Sequence, residues 1–377
     1  MSRIDPVALV TVEDIARAYD FGSSHPLRPE RVLLTYDRIR DLGFVDGDRV
    51  REIPSRPASE DEIRAAHSPD FVQAVKDLDA HAVDETKGRR YGLGTPDNPI
   101  FENMHPASAA VCGATLTAAE AVASDHVSHA FNPAGGLHHA RRSEASGFCI
   151  YNDPAVAIAK VLDLHPDWRV LYLDVDVHHG DGVQWIFYDD PRVLTLSLHQ
   201  SGHYLYPGTG FESEIGTREA AGTSANVPLL PGTGNEDYLW AMERSLTELA
   251  DAFRPQLIVT QLGADTHYGD PLANLGLTLA AYSPMARIIH DVAHRFAEGR
   301  WVATGGGGYQ AETIVPVVWT VHFAEMCGES ERIPYEWLND LEPAEVSRPY
   351  ADDVKRSVEQ VLAACLPKLS ALSSPAT

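Results

Sequence analysis

Apolar positions along the chain follow two alternating patterns. Short runs rich in β-branched residues read as buried strands: PVALVTV near the start, then Ser128 to Phe131, Trp168 to Val177, Val193 to Leu198, Gln256 to Leu262 and Trp301 to Thr304. Between them apolar residues recur at helical spacing, over Pro29 to Leu42, Glu60 to Leu78, Pro106 to Ser124, Pro154 to Leu164, Asn235 to Ala252 and Asp352 to Leu366. Pro106 stands where a first helical turn tolerates it. Strand and helix in alternation predict βαβ units, hence a mainly parallel sheet with helices on both faces. In such a sheet, ligands bind beyond the carboxyl ends of the strands.

At 377 residues the chain is long enough for one large α/β domain or two smaller ones. No low-complexity linker and no internal repeat divides it. Glu331 to Pro349 carries prolines and could serve as a linker, but too few residues follow to build a second core. The expectation is a single domain, with its core over about 6–330 and a terminal helix and tail over about 350–377.

Charge changes the picture of partners. There are 54 acidic against 30 basic residues, a formal net charge of -24. Such a surface repels phosphate backbones and anionic lipid, so nucleic acid and membrane are excluded as partners. The four cysteines, Cys112, Cys149, Cys327 and Cys365, form no CxxC pair, which argues against a disulfide framework or a thiolate zinc site and for a reducing compartment. The N-terminal stretch lacks a long apolar core or a small-residue cleavage site, and no window holds 18 uninterrupted apolar residues. A cytoplasmic location is expected.

Candidate chemistry gathers after the strands. In Leu171 to His178, LYLDVDVH, strand alternation puts Tyr172, Asp174, Asp176 and His178 on one side, with Asp176 and His178 near enough for one ion to bridge them. Asp265 follows the apolar run LIVTQLG and completes a set of one imidazole and two carboxylates, leaving positions open for water and substrate, as catalytic zinc requires. His138 and His139 follow a glycine pair, and Asp174 and Asp181 are free to orient one imidazole each. Gly305 to Gly308 precede Tyr309, whose phenol could donate to an oxyanion; the run lacks both GxGxxG spacing and a P-loop lysine. Each feature alone has an ordinary explanation. Asp176 and His178 fit a buried polar ladder, Asp265 a helix cap, the paired histidines a solvated loop and Tyr309 a packing residue.

Taken together, HHARRSEASGFCIYND, DVDVHHGDGVQ, LSLHQSGHYLYPGTG, GADTHYGDPL and GGGGY, with SHPLRPERV and YGLGTPDNPIF before them, resemble the zinc-dependent histone deacetylase family of the arginase/deacetylase fold. The likeness runs from about Ser24 to Met326 and is nearest to the bacterial acetoin-utilisation deacetylases. It implies a sheet of about eight strands. It further implies zinc ligands at Asp176, His178 and Asp265, paired histidines His138 with Asp174 and His139 with Asp181, and a transition-state tyrosine at Tyr309. Acyl-lysine tunnel walls are implied at Gly147, Phe148 and Tyr206, with Leu272 at the rim and Asp97 as the rim carboxylate, although Pro96 competes for that position. Arg31 matches an internal acetate-channel arginine. A structural K+ would take Asp174, Ser197 and carbonyls of Asp176, His178 and Leu198. The catalytic ion implied is Zn2+, with Fe2+ its alternative in the cell.

Some positions depart from the family pattern. Tyr206 stands where many members have Phe, and Thr223 where members with a second monovalent site often have Tyr. His267 and Tyr268 are bulky neighbours of Asp265 that could alter the pocket.

The implied reaction is hydrolysis of an Nε-acyl-lysine amide in a protein, by analogy a metabolic enzyme such as acetyl-CoA synthetase. Deacetylation of small cationic amides such as acetylpolyamines is the alternative. An arginase-like site with two manganese ions would need further carboxylates beside the metal, and a non-catalytic binding protein would have no use for a proton shuttle.

Overall fold

The computed structural model describes residues 6–80, 88–340 and 348–372. Eight strands, β1 (Val7–Thr11), β2 (Val50–Pro54), β3 (His129–Asn132), β4 (Val170–Asp174), β5 (Val193–Gln200), β6 (Ser224–Leu229), β7 (Leu257–Gln261) and β8 (Trp301–Thr304), form one sheet. Their spatial order is β2-β1-β3-β8-β7-β4-β5-β6, and every pairing is parallel. The six strands read from apolar runs occupy the middle, where both faces are covered and an uninterrupted apolar run is what burial demands. The two that no such run announces, β2 and β6, are the edges. Each carries a proline, Pro54 and Pro228, of the kind an edge tolerates.

Helices cover both faces: α1 (Glu13–Ala18), α2 (Glu30–Asp41), α3 (Glu60–Ala66), α4 (Pro69–Ala80), α5 (Met104–Ala123), α6 (Asp153–Leu164), α7 (Asp181–Ile186), α8 (Asn235–Phe253), α9 (Tyr282–Phe296), α10 (Ile314–Met326) and α11 (Ala351–Leu372). Glu60 to Leu78, expected as one helix, is two. Pro69 disfavours helical backbone at Ser68, and the Ser68 N–H bonds instead to the Arg142 carbonyl at 2.7 Å. The terminal helix runs past Leu366 to Leu372 with Pro367 inside it. The stretch after Glu331 is no free linker where it is described, because Trp337 and Leu338 pack on the core and Asp340 bonds to His267.

One expectation at the heart of the molecule is corrected. Strand pairing of β4 ends at Asp174, so Asp176 and His178 do not continue the pleat. The Asp174 and Asp176 carboxylates capture the backbone N–H groups of Asp176 and His178, at 3.1 and 2.9 Å, and bend the chain. The four strands β3, β8, β7 and β4 are immediate neighbours. Their carboxyl-end loops therefore open onto one place.

Candidate metal and catalytic site

Asp176, His178 and Asp265 converge at that place, with ligand atoms all within 4.8 Å of one another. His178 Nδ1 lies 3.0 Å from Asp176 Oδ1 and 3.2 Å from Asp265 Oδ2. The other carboxylate oxygens are held by donors. Gln261 Nε2 and the Gly307 N–H reach Asp176 Oδ2 at 2.6 and 2.7 Å, and the Val177 N–H reaches Asp265 Oδ1 at 2.9 Å. A Cβ on Gly307 would lie 2.0 Å from Asp265 Oδ2, so only glycine lets the β8 loop approach this closely.

The set fits a divalent ion. All three side chains are buried, and burial together with the Asp176 charge raises the Asp265 pKa to about 8, a penalty on two adjacent carboxylates that a bound cation relieves. Burial opposes a charge on His178, yet both carboxylates outweigh it and raise its pKa to about 10, a proton standing in the cation's place. Among the described residues a second cluster of three potential ligands occurs, His129, His290 and His294.

Two imidazole–carboxylate pairs flank the triad. His138 Nδ1 meets Asp174 Oδ2 and His139 Nδ1 meets Asp181 Oδ1, both at 2.7 Å, while the two Nε2 atoms face one another at 3.1 Å. Their surroundings differ. Burial pulls His138 down, but Asp174 and Asp176 raise it to about 9. His139 is lowered to about 4, first by burial and then by the charge on His138. Arg141 forks onto Asp181, with Nη2 at 2.9 and Nε at 3.2 Å, whereas Asp174 accepts the Tyr172 hydroxyl at 2.8 Å. The carboxylates around His138 therefore favour its charged form, and burial favours the neutral form of His139.

Tyr309 is half-buried at the end of the glycine run, its N–H bonded to Asp270 Oδ2 at 2.9 Å. Burial, then the Asp265 and Asp176 charges, hold its phenol well above the ordinary range and so protonated. The Phe148 ring stands edge-on to it at 5.7 Å, and Tyr206 edge-on to His139 at 5.1 Å and to His178 at 6.4 Å. Phe148 takes a φ of 69°, a left-handed conformation secured by the Tyr19 hydroxyl donating to its carbonyl at 2.9 Å. Gly147 lies over the His139 ring, which a Cβ there would meet at 2.3 Å. The extra hydroxyl of Tyr206 bonds to Ser146 Oγ at 2.5 Å.

Other expected residues fall at graded distances from this centre. Leu272 is half-buried, its N–H bonded to Asp270 Oδ1 at 2.9 Å. Pro96 and Asp97 are both exposed. The Asp97 charge acts on His25, whose ring lies 4.5 Å from that of Phe148. Arg31 is buried, with Nη1 2.6 Å from the Gly306 carbonyl and 3.3 Å from that of Gly308, beside a cavity of about 20 Å³ lined by Tyr19, Leu27 and Leu137. Ser197 stands in register opposite Asp174, with Oγ 2.9 Å from His199 Nδ1, and the Leu198 carbonyl lies 3.5 Å from the Tyr238 hydroxyl. Thr223 spends its hydroxyl on the Ala220 carbonyl at 2.8 Å. His267 has both ring nitrogens engaged. Its Nε2 bonds to Asp340 at 2.7 Å and its Nδ1 accepts the Gly269 N–H at 3.2 Å.

Several residues that hold the site escaped sequence reasoning. Asn152 donates to the His138 and Ala140 carbonyls at 3.0 and 2.9 Å, and Asp153 accepts the Gly136 and Leu137 N–H groups at 3.0 and 2.8 Å. Together they shape the histidine loop. Asn-Asp-Pro at the start of α6 is a signal that could have marked them, since cap residues have side-chain acceptors to spare. Asp270 and Gln261 carry no such local signal.

Comparison with known proteins agrees with this geometry. Residues 25–326 match the model of the histone deacetylase domain. The chain is 46% identical over 325 residues to the acetoin utilization protein AcuC of Bacillus subtilis (strain 168), covering 85% of this chain and 83% of that protein. It is 33% identical over 347 residues to AcuC of Staphylococcus xylosus, covering 90% and 89%. Among solved structures, an HDAC homolog complexed with SAHA superposes with a TM-score of 0.80 at 31% identity, covering 94% of this chain and 99% of that one. The chain belongs to the histone deacetylase family, and its chemistry is hydrolytic deacetylation.

Proposed function

We propose that this deacetylase hydrolyses the Nε-acyl-lysine amide of proteins, using Zn2+ held by Asp176, His178 and Asp265. The observation that carries the reading is the meeting of that triad with two imidazole–carboxylate pairs and Tyr309 between the aromatic walls Phe148 and Tyr206. Bound there, a divalent ion supplies Lewis-acid polarisation of the acyl carbonyl and acidifies water.

The chain's own residues do the rest. His139, its neutral form favoured by burial and its ring oriented by Asp181, takes a proton from the attacking water at Nε2 and later delivers it to the leaving amine. His138, its charged form favoured beside Asp174, stabilises the negative charge that develops on the acyl oxygen and sets the direction of proton movement. Tyr309 donates its hydroxyl to the same oxygen. Phe148 and Tyr206 sheathe the methylene stem of the acylated lysine, whose amide is uncharged, and exclude water around it. Leu272 and Asp97 serve the mouth, Arg31 the internal channel for released carboxylate, and Asp174, Ser197 and the carbonyls of Asp176, His178 and Leu198 a K+ beneath the site.

The acidic surface, with a formal net charge of -24, draws cationic protein segments toward the mouth. Among the described residues no helix is long and apolar enough to cross a membrane. The test compares metal-reconstituted enzyme on acyl-lysine peptides of graded chain length and on acetylated polyamines. Higher kcat/KM on acetyl-lysine peptides is expected. Turnover confined to the polyamines overturns the protein substrate and leaves the deacetylase chemistry intact.

A further inference from the structure

The second cluster lies at the opposite end of the sheet. His129 opens β3, at its amino end, in register with Trp301, which opens β8. His290 and His294 sit one turn apart near the end of α9, the helix that connects β7 to β8. A crossover helix runs back along its sheet, so the close of α9 returns to the amino ends of the strands. Three imidazoles therefore meet where β3, β8 and α9 come together, on the far side from the catalytic loops.

Their geometry suits an ion. The ring centroids are 5.0 Å apart for His129 and His290, 5.2 Å for His129 and His294, and 4.6 Å for His290 and His294. One nitrogen of each ring lies within 4.8 Å of one on the others. The Nε2 atoms of His290 and His294 are 3.0 Å apart. A tetrahedral ion with metal–nitrogen bonds of about 2.0 Å separates its ligands by about 3.3 Å, so this pair needs only a small adjustment.

His129 supplies the independent observation. It is fully buried, and neither ring nitrogen has a hydrogen-bond partner. A buried imidazole left this way carries an uncompensated desolvation cost, which an apolar residue at this core position would avoid. A ligand to one nitrogen gives the imidazole a reason to be there. His290 is completed from behind, its Nδ1 lying 3.3 Å from Glu325 Oε1, and Ser330 Oγ donates to the other oxygen of that carboxylate at 2.5 Å. A carboxylate behind an imidazole fixes the tautomer that presents Nε2 to a metal. His294 is exposed, which opens a route for entry and for a water as fourth ligand.

We infer that His129, His290 and His294 form a second site for a divalent transition ion of the zinc class, separate from the catalytic centre and clamping α9 to β3. Three imidazole ligands select zinc, cobalt or nickel over magnesium or calcium, which prefer oxygen. The site does not depend on the substrate reading above.

Metal counting on the full chain decides it. After loading with Zn2+ and removal of the excess, wild type is expected to retain about two ions per chain and His294→Ala about one, with deacetylase turnover unchanged. Asp265→Ala should also retain about one ion, now without turnover, and the double variant none. His294 is exposed at the end of a helix, so its replacement leaves the fold intact. Glu325→Gln, which keeps all three ligands, should weaken the second ion about 10- to 100-fold. With Co2+, His294→Ala should lose the visible absorption that survives in Asp265→Ala. Wild type holding one ion that Asp265→Ala removes, or His294→Ala retaining as many ions as wild type, overturns the inference. Two ions retained in Asp265→Ala would instead overturn the catalytic ligand set.

Discussion

The two ends of the sheet gather potential metal ligands in opposite ways. At the carboxyl end, two carboxylates and one imidazole are buried and gripped by Gln261, by the N–H groups of Val177 and Gly307, and by a glycine loop too close for any side chain. At the amino end, three imidazoles meet without a carboxylate among them, one buried and one exposed. Charge explains the difference. Two buried carboxylates repel one another and raise the Asp265 pKa to about 8, so the first set favours a bound cation over a proton shared within it. Imidazoles carry no fixed negative charge, and the second set can stand with or without an ion. Chemistry also separates them. Only the carboxyl end sets imidazole–carboxylate pairs that are not themselves ligands, together with a phenol and aromatic walls, beside its ligands. Ligands of either end can hold a metal, but only one end can use it.

Predictions follow from that contrast, and the largest strikes the carboxyl end. Asp265→Ala should abolish turnover and remove the ion there while leaving the amino-end ion, as metal analysis beside an activity assay would report. His139→Ala should keep both ions and lower kcat about 10²- to 10⁴-fold, the usual worth of a general acid–base. If the loss is under tenfold, the proton passes through His138. Tyr309→Phe should cost roughly 3 kcal/mol of barrier, about 100-fold in kcat, if its hydroxyl meets the oxyanion. Undiminished turnover would return Tyr309 to the role of a packing residue.

The smallest effect is one of pH. His67 braces the catalytic histidine loop, its Nδ1 2.9 Å from the Arg141 carbonyl and its Nε2 accepting the Asn152 N–H at 2.9 Å. Burial lowers its pKa to about 4, below the unfolded value of about 6.5. The unfolded chain therefore binds the proton first. The stability His67 contributes is complete above pH about 6.5 and is lost as pH falls toward 4. Thermal melts should show a His67→Asn variant less stable at pH 7 but falling less steeply than wild type between pH 7 and 5. Parallel slopes would remove His67 from the acid response.

Legibility tracked locality. Central strands announced themselves because burial on both faces demands an unbroken apolar run, whereas the edges β2 and β6 are half-polar and passed unread. The catalytic side chains were legible because they fall in short segments with chemistry of their own, HHGDG after one strand and GGGGY after another. Their supports were less so. Asp270 acts on Tyr309 and Gln261 on Asp176 across the fold, and neither looks unusual among its neighbours in the chain. The bend at Asp176 also went unread, since alternation continues on paper where two carboxylates in fact capture the backbone.

By itself, then, the sequence determined the α/β class, the six central strands and the candidate catalytic groups, because each is marked by patterns a few residues long. Tertiary structure alone decided which four strands stand side by side, that Gln261 and Asp270 support Asp176 and Tyr309, and that His129 meets two histidines distant from it in the chain. Those pairings depend on parallel crossovers that bring distant segments together. No local pattern encodes the distance between two side chains on different strands, so only the folded chain distinguishes a set of imidazoles from one whose paired carboxylates favour a bound cation.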